Sequence, residues 1–510
     1  MKDYQVSEKK MTQTWGVLDR QAAMKLAGTE IPREAMKAET GGGRILAVRE
    51  EETRISREKY LEVTGVIYPV DRNAPNIEWK ILLPFCWNKR SVQVGGGANN
   101  GQIPALEKEL LMSEYNPAEH GFVVFGDDSG HQSRDPMSAD FASNEEALQN
   151  YIRLHLIKTN GVMHFVKKCY GKDAERTYFV GGSAGGREAL ECAVSYGKDY
   201  DGIFCADPAS SFVLLRIWGA LLSKAVYDSY EENIHPYSDG FIDEKTLAGI
   251  QKDAIEWYDE LDGIRDGIVS NIYAARANRH VFIEMIREKY HLTEAQLHTI
   301  EIYEKGFELE YAMPNGVNTY HGCSALEGGI MDLGPDPVPR EPLDTRYNVH
   351  HGDRSDGVFK YFITKDKNWK LIAHDYRRPD HELYRMLMEA SLSYDVNQPE
   401  LDDFIAHGGK MILFTSWNDM SISPWQIISQ YQGYVKKYGQ EQVDRFLKFY
   451  CMPSATHCSG IFMDYLEWLD TWCPTGISPS ETLYGKIAET GGEMPMAEFP
   501  GWVRYTGGDP

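Results

Sequence analysis

Between residues 45 and 207, short apolar runs rich in β-branched and aromatic residues alternate with stretches of helical apolar spacing. The runs at 60–70, 78–86, 91–94, 121–128, 177–180 and 202–207 predict strands, several of them apolar on both faces. Residues 144–170 and 187–197 predict helices. Fully apolar strands separated by helices are the pattern of a mostly parallel sheet covered on both faces. The rhythm is lost from 208 to 400, where helical stretches (211–226, 243–258, 278–307) precede long irregular segments rich in Pro, Gly, Asp and Tyr at 312–360. It returns at 401–510, where strands at 410–417 and 446–453 flank a helix at about 424–439. The expected organisation is an α/β core split by an insertion: a polar extension at 1–44, core at 45–207, a lid or cap at 208–400, and core again at 401–510.

Composition narrows the function classes. The chain has 510 residues and a net charge of -23, which argues against partners that are themselves polyanions, nucleic acid and anionic lipid surfaces. No apolar stretch reaches the roughly 20 residues of a membrane span, and the first residues lack the apolar segment of a secretory signal, so a cytoplasmic location is expected. The eight cysteines form no CxxC pair and no zinc-type spacing, which predicts reduced thiols. These residues leave the oligomeric state open.

The chemistry gathers around Gly181-Gly182-Ser183-Ala184-Gly185. A G-x-S-x-G pattern can be an ordinary glycine-rich turn. Here it joins the strand TYFV to the helical REALECAVSYG, the strand–turn–helix setting in which a strained turn exposes a nucleophilic serine. Such a serine needs a base and the base an orienting acid, in the chain order Ser, Asp or Glu, His. Asp419 and His457 each follow a separate predicted strand in that order. Either alone would pass for a helix cap or a loop residue. The Ala184 N–H and those of Gly96 or Gly97, in the run Gly95-Gly96-Gly97 after an early strand, are the candidate oxyanion donors. The run Asp259-x-x-Asp262-Gly263-x-x-Asp266-Gly267 has the oxygen-rich composition of a calcium loop, with the Ile264 and Ile268 carbonyls as further ligands, and equally that of a solvated acidic turn.

Taken together, WNKRSVQVGGGANN, GDDSGHQ, TYFVGGSAGGREAL, DYDGIFCADPAS, LDGIRDGIV, HGGKMILFTSWNDMSISP and MPSATHCSG resemble the tannase and feruloyl esterase family over roughly 58–475. The resemblance implies an α/β-hydrolase core with an inserted lid and hydrolysis of phenolic esters by a Ser183–Asp419–His457 triad. It also implies a structural calcium on Asp259, Asp262, Asp266 and the carbonyls of Ile264 and Ile268, with no cofactor in catalysis. A serine esterase acting on a small aromatic ester is therefore expected, in an aromatic-lined pocket. An acyltransferase, a lactone or C–C bond hydrolase with the same triad, and a silent ligand-binding homologue are the alternatives. Two departures stand out. The family's half-cystine before the nucleophile is Gly182, leaving Cys458 without its partner, and the cysteine before the calcium loop is Tyr258.

Overall fold

The computed structural model describes residues 15–507, so residues 1–14 of the expected extension lie outside the described residues. Thirteen strands form one sheet: β1 (Glu30–Ile31), β2 (Gly43–Glu52), β3 (Lys59–Ile67), β4 (Ile77–Pro84), β5 (Arg90–Val94), β6 (Val123–Asp127), β7 (Arg176–Gly182), β8 (Gly202–Ala206), β9 (Lys410–Ser416), β10 (Leu447–Met452), β11 (Ile461–Phe462), β12 (Thr482–Ile487) and β13 (Glu493–Glu498). Their order across the sheet is β11-β12-β13-β10-β9-β8-β7-β5-β6-β4-β3-β2-β1. The six central strands, β10 to β6, run parallel. This is the expected α/β-hydrolase core, and its apolar runs are buried on both faces because helices cover both.

The flanks differ from the expectation. β1–β4 join the parallel core through antiparallel pairings, and β11–β13 continue beyond β10 in the same antiparallel way, so the complete sheet is mixed. These strands carry one buried and one wetter face. β3 and β4 are the strands expected at 60–70 and 78–86, while the alternating polar residues of strands such as β2 and β12 disguise them among the surrounding loops. The segment before residue 45 is built into the fold: β1 extends the sheet, Gly16–Val17 pairs with Cys86–Trp87, and Leu18, Ala23 and Ile31 join a buried cluster with Trp79 and Trp87.

The connection from β8 to β9 carries the residues expected as an insertion. Its helices include Phe212–Tyr227, Glu244–Tyr258, Ile272–Tyr290, Glu294–Lys305 and His381–Tyr394. The stretch 278–307, read as one helix, is two. His291 turns into the left-handed region at φ 52°, and the Thr293 hydroxyl and Gln296 amide cap the second helix. Side chains of the insertion, Ile250 and Phe282 among them, belong to the same buried cluster as Phe179 and Leu190 of the core. No helix among the described residues is long and apolar enough to cross a membrane.

Candidate active site

β7 ends at Gly182, and the helix Ala184–Ser195 begins one residue after Ser183. Ser183 therefore sits alone in the turn, at φ 59° and ψ -119°. A non-glycine residue in this region is strained, and strain of this kind holds the serine out of both regular elements. The small flanking residues are sterically required. A Cβ on Gly181 would lie 2.2 Å from the Gly185 carbonyl oxygen, and one on Gly185 would lie 2.6 Å from that of Gly96. The second contact also brings the glycine loop against the start of the helix.

The register of β9 with β10 places Ser416 beside Met452, so the loops beyond them lie together. Trp417 donates its N–H to the Met452 carbonyl at 2.9 Å, and Asn418 to that of Ala455 at 3.1 Å. Across this seam His457 Nδ1 meets Asp419 Oδ2 at 2.7 Å. The other Asp419 oxygen accepts the N–H groups of Ser421 at 2.6 Å and Ile422 at 2.9 Å. The buried acid is thus fixed by the start of its own loop, and its free direction is toward the imidazole. Burial opposes charging of His457, but the charge and hydrogen bond of Asp419, helped by Asp207, outweigh it and raise its pKa above the ordinary value. Ser183 and His457 line one cavity of about 730 Å³. Among the described residues the Ser183 hydroxyl has no hydrogen-bond partner.

Ala184 and Gly97 also line this cavity. Ala184 is the first residue of its helix, so its N–H has no intrahelical acceptor, and the Gly97 N–H has no partner among the described residues. Gly96 departs from the expectation: its N–H is donated to Glu188 Oε2 at 3.0 Å. Glu188 is wholly buried on the nucleophile helix. Its other oxygen accepts from Asn100 Nδ2 at 2.6 Å and faces His155 Nε2 at 3.5 Å, while His155 Nδ1 meets Asp127 Oδ1 at 2.7 Å. Burial disfavours the His155 imidazolium, yet the two carboxylates raise its pKa to about 10. A charged network behind the glycine loop thus consumes the Gly96 N–H and leaves that of Gly97 for the cavity.

Asp207, at the end of β8, was not singled out from the sequence. It is fully buried, accepts the N–H and hydroxyl of Ser416 at 2.6 and 2.7 Å, and accepts the N–H of Cys458 at 2.9 Å. Burial and the nearby Asp419 raise its pKa. It joins the nucleophile side of the sheet to the acid loop and the histidine loop. Cys458 is unpaired, as are all eight cysteines, and burial with the neighbouring Asp207 and Asp419 carboxylates pushes its thiol well up. A Cβ on Gly182 would lie 2.7 Å from the Cys458 sulfur, so the position where the resemblance implies a half-cystine stands within reach of Cys458.

The remaining cavity wall also went unread in the sequence. Phe212, Leu215 and Arg216 come from the first turns of the helix Phe212–Tyr227, while His350 and His351 lead into, and Arg354 lies on, the short helix Gly352–Val358 within the region read as irregular. His350 Nε2 bonds the Ser421 hydroxyl at 2.7 Å, tying this region to the Asp419 loop. The pocket is not aromatic-lined: Phe212 is the one Phe, Tyr or Trp among its described lining residues, with Leu110, Leu111, Met137, Ile330 and Met420 supplying apolar surface.

The acidic run lies at the end of Glu244–Tyr258, remote in sequence from the triad elements. Asp259 Oδ1 accepts the N–H groups of Asp266 and Gly267 at 3.1 and 3.0 Å. Asp262 accepts that of Ile264, and Asp266 that of Ile268. The all-oxygen donor set of Asp259, Asp262 and Asp266 with the Ile264 and Ile268 carbonyls suits a hard cation. Burial, then the charges of Asp262 and Asp259, raise the Asp266 pKa, a repulsion that a cation would relieve. The three carboxylates are less tightly convergent than the cluster of Asp207, His457 and Cys458, whose ligand atoms fall within 4.8 Å of one another.

Comparison with known proteins agrees with this architecture. The family model for tannase and feruloyl esterase matches residues 61–509. An uncharacterized esterase of Agrobacterium fabrum is 35% identical over 94% of this chain and 90% of its own. A protein of Arthroderma benhamiae, named a probable feruloyl esterase, is 25% identical over 84% of this chain and 79% of its own. The crystal structure of feruloyl esterase B from Aspergillus oryzae superposes with a TM-score of 0.74 at 17% identity, covering 92% of this chain and 95% of that one. The chain belongs to the tannase and feruloyl esterase family, and it is a carboxylic ester hydrolase.

Proposed function

We propose that the chain hydrolyses an aromatic or phenolic ester, of the feruloyl or galloyl type, through an acyl-enzyme on Ser183. The observation that carries this reading is the 2.7 Å bond from His457 to the buried Asp419, beside the cavity that the strained Ser183 lines. The relatives named feruloyl esterases support the phenolic class. Phe212 with the flexible thioethers of Met137 and Met420 supports an aromatic ring in the cavity.

In this mechanism the Ser183 hydroxyl adds to the ester carbonyl as its proton passes to His457 Nε2. Asp419 holds Nδ1–H and so keeps the lone pair of Nε2 toward the serine. The N–H groups of Ala184 and Gly97 take the developing oxyanion. His457 then protonates the leaving alcohol oxygen, water delivers its proton to the same nitrogen while attacking the acyl-enzyme, and the free acid and Ser183 are restored. The connection between β8 and β9 serves as the lid, since its residues close one side of the cavity. We place a structural calcium on Asp259, Asp262, Asp266 and the Ile264 and Ile268 carbonyls, where it stabilises the insertion and takes no part in the ester chemistry. Metal analysis of protein purified without chelator checks it, and metal-free protein of full thermal stability refutes it. The unpaired thiols support a reducing compartment.

The decisive experiment replaces Ser183 with Ala and assays aryl esters. Turnover falls by at least about 10⁴-fold, because the covalent route is gone, and labelling by a fluorophosphonate probe disappears. Wild-type turnover by Ser183→Ala refutes the assignment.

A further inference from the structure

Arg216 is a cation without an anion. It is 7% exposed, and its Nε and Nη1 atoms are sealed from solvent with no hydrogen-bond partner. No carboxylate lies in ion-pair distance among the described residues. The Phe212 ring lies 4.7 Å from the guanidinium carbon, and the charges of Arg354 and Asp353 act on it from beyond ion-pair distance. A buried charge left unpaired is costly, and proteins rarely keep one that nothing satisfies.

The side chain lines the cavity that holds Ser183 and His457, and so does Arg354. Arg354 has a partial counter-charge, Asp353 at 3.6 Å, and donates to the His350 carbonyl. Arg187, the third arginine of the wall, is in a different position: its guanidinium is spent on the carbonyls of Ile152 and Tyr151 at 2.8 and 3.1 Å. The only carboxylate among the described lining residues is Glu109, exposed at the rim beside Lys108. A chain of net charge -23 thus keeps the inner wall of its reaction cavity cationic, an arrangement that draws and orients anions.

We propose that Arg216, with Arg354 beside it, recognises a carboxylate or similar anionic group of the substrate, so that the preferred ester is itself an anion. This rests on the esterase reading above and narrows its substrate class. The guanidinium would replace its missing partner with the substrate's carboxylate. Because Arg216 belongs neither to the triad nor to the oxyanion donors, it acts chiefly on binding and orientation. The anionic group can belong to the acyl half or to the alcohol half of the ester, and the assay separates them.

The test compares two pairs of aryl esters. In one, the benzoyl ring carries a para-carboxylate or, as control, a para-carboxamide. In the other, the same two groups are on the leaving phenol. The expected result is a preference of at least about tenfold in kcat/KM for the carboxylate in one pair, carried mainly by KM. Arg216→Gln collapses that ratio toward one, and Arg216→Lys restores part of it because the charge returns without the planar fork. A wild-type enzyme indifferent to the carboxylate in both pairs overturns the proposal, as does a preference that survives Arg216→Gln. Should that variant not fold, calorimetry on Ser183→Ala with Arg216 intact decides: benzoate binding markedly tighter than benzamide supports the site, and equal or absent binding overturns it. The two readings fail separately. Ser183-independent turnover of every ester would sink the esterase mechanism, whereas Ser183-dependent turnover without anion preference would sink only the arginine site.

Discussion

At the scale of single residues, the triad was legible because each member follows its own apolar strand in a fixed chain order. Asp207 was not, although its carboxylate binds both Ser416 at the end of β9 and the N–H of Cys458 beside the catalytic histidine. An aspartate just after a strand reads as a turn or cap, and nothing in the local sequence says that β9 and the histidine loop will converge on it. Arg216 was hidden for a similar reason: an arginine on an otherwise apolar helix is usually a snorkelling side chain, and only the packed structure shows that its head stays buried. Asp207 is a positioning residue, and its charge also favours the His457 imidazolium. Replacing it with Asn removes that charge, so the His457 pKa falls and its neutral, basic form persists to lower pH. The acid limb of the pH profile of kcat/KM therefore moves toward lower pH in Asp207→Asn. The amide also has one acceptor oxygen where the carboxylate has two, which costs about 1–3 kcal/mol of stability through a buried donor left unmet. A profile measured from about pH 5 to 9 reads both sides of the shift. A limb that stays in place contradicts the electrostatic role, whatever happens to stability.

At the scale of elements, the six parallel strands were legible as runs of apolar residues because both faces are buried. Of the antiparallel flanks, β3 and β4 were legible as the runs at 60–70 and 78–86, whereas β2, which ends in Arg-Glu-Glu-Glu, and β12 and β13, which alternate polar and apolar residues, were not. The irregular region 312–360 carried no period to read, yet it contributes His350, His351 and Arg354 to the cavity. The glycine loop was legible as an element but not in detail, because the partner of Gly96 comes from a helix ninety-two residues later. That pairing gives the loop a testable anchor. Both oxygens of Glu188 act as acceptors, whereas a glutamine offers one acceptor and one donor, so Glu188→Gln sets a donor against either Gly96 N–H or the Asn100 amide. It also strips a counter-charge from the buried His155 imidazolium. The expected loss is about 3–5 kcal/mol of stability, that of a broken buried pair. With the loop released, kcat falls by as much as about 100-fold while KM changes little, since the Gly97 N–H acts on the oxyanion rather than the ground state. Thermal denaturation and steady-state kinetics on aryl esters check the two halves, and an unaltered kcat in a destabilised variant would detach the network from catalysis.

At the scale of the whole molecule, the catalytic serine and histidine come from two halves of a sheet separated in sequence by the long connection from β8 to β9. Noncovalent contacts hold them together: the parallel register of β7, β8, β9 and β10, the Asp207 hydrogen bonds, and the seam between the Asp419 and His457 loops. The half-cystine that the resemblance implies at position 182 was legible in the sequence as Gly182 against Cys458, but only the structure shows that the two positions lie close enough for the bond. Forming it is therefore a test of how firmly the two halves are already joined. In Gly182→Cys the new Cβ would stand 2.7 Å from the Cys458 sulfur and 2.4 Å from Leu111 Cδ2. The leucine methyl is the end of a flexible side chain and can turn aside, and the cysteine already present must rotate its sulfur slightly to bond. Oxidised Gly182→Cys should therefore lose two thiols on titration relative to its reduced form and gain stability of about 2–4 kcal/mol, by restricting the unfolded chain across the long loop between the two positions. Its Tm rises under oxidising conditions and returns on reduction. If the bond forms while Tm stays level, the unfolded-state restriction is being cancelled by strain at the Ser183 turn, and kcat should then fall with it. If no bond forms under mild oxidant, the two loops are held further apart in solution than the close approach of Gly182 and Cys458 implies.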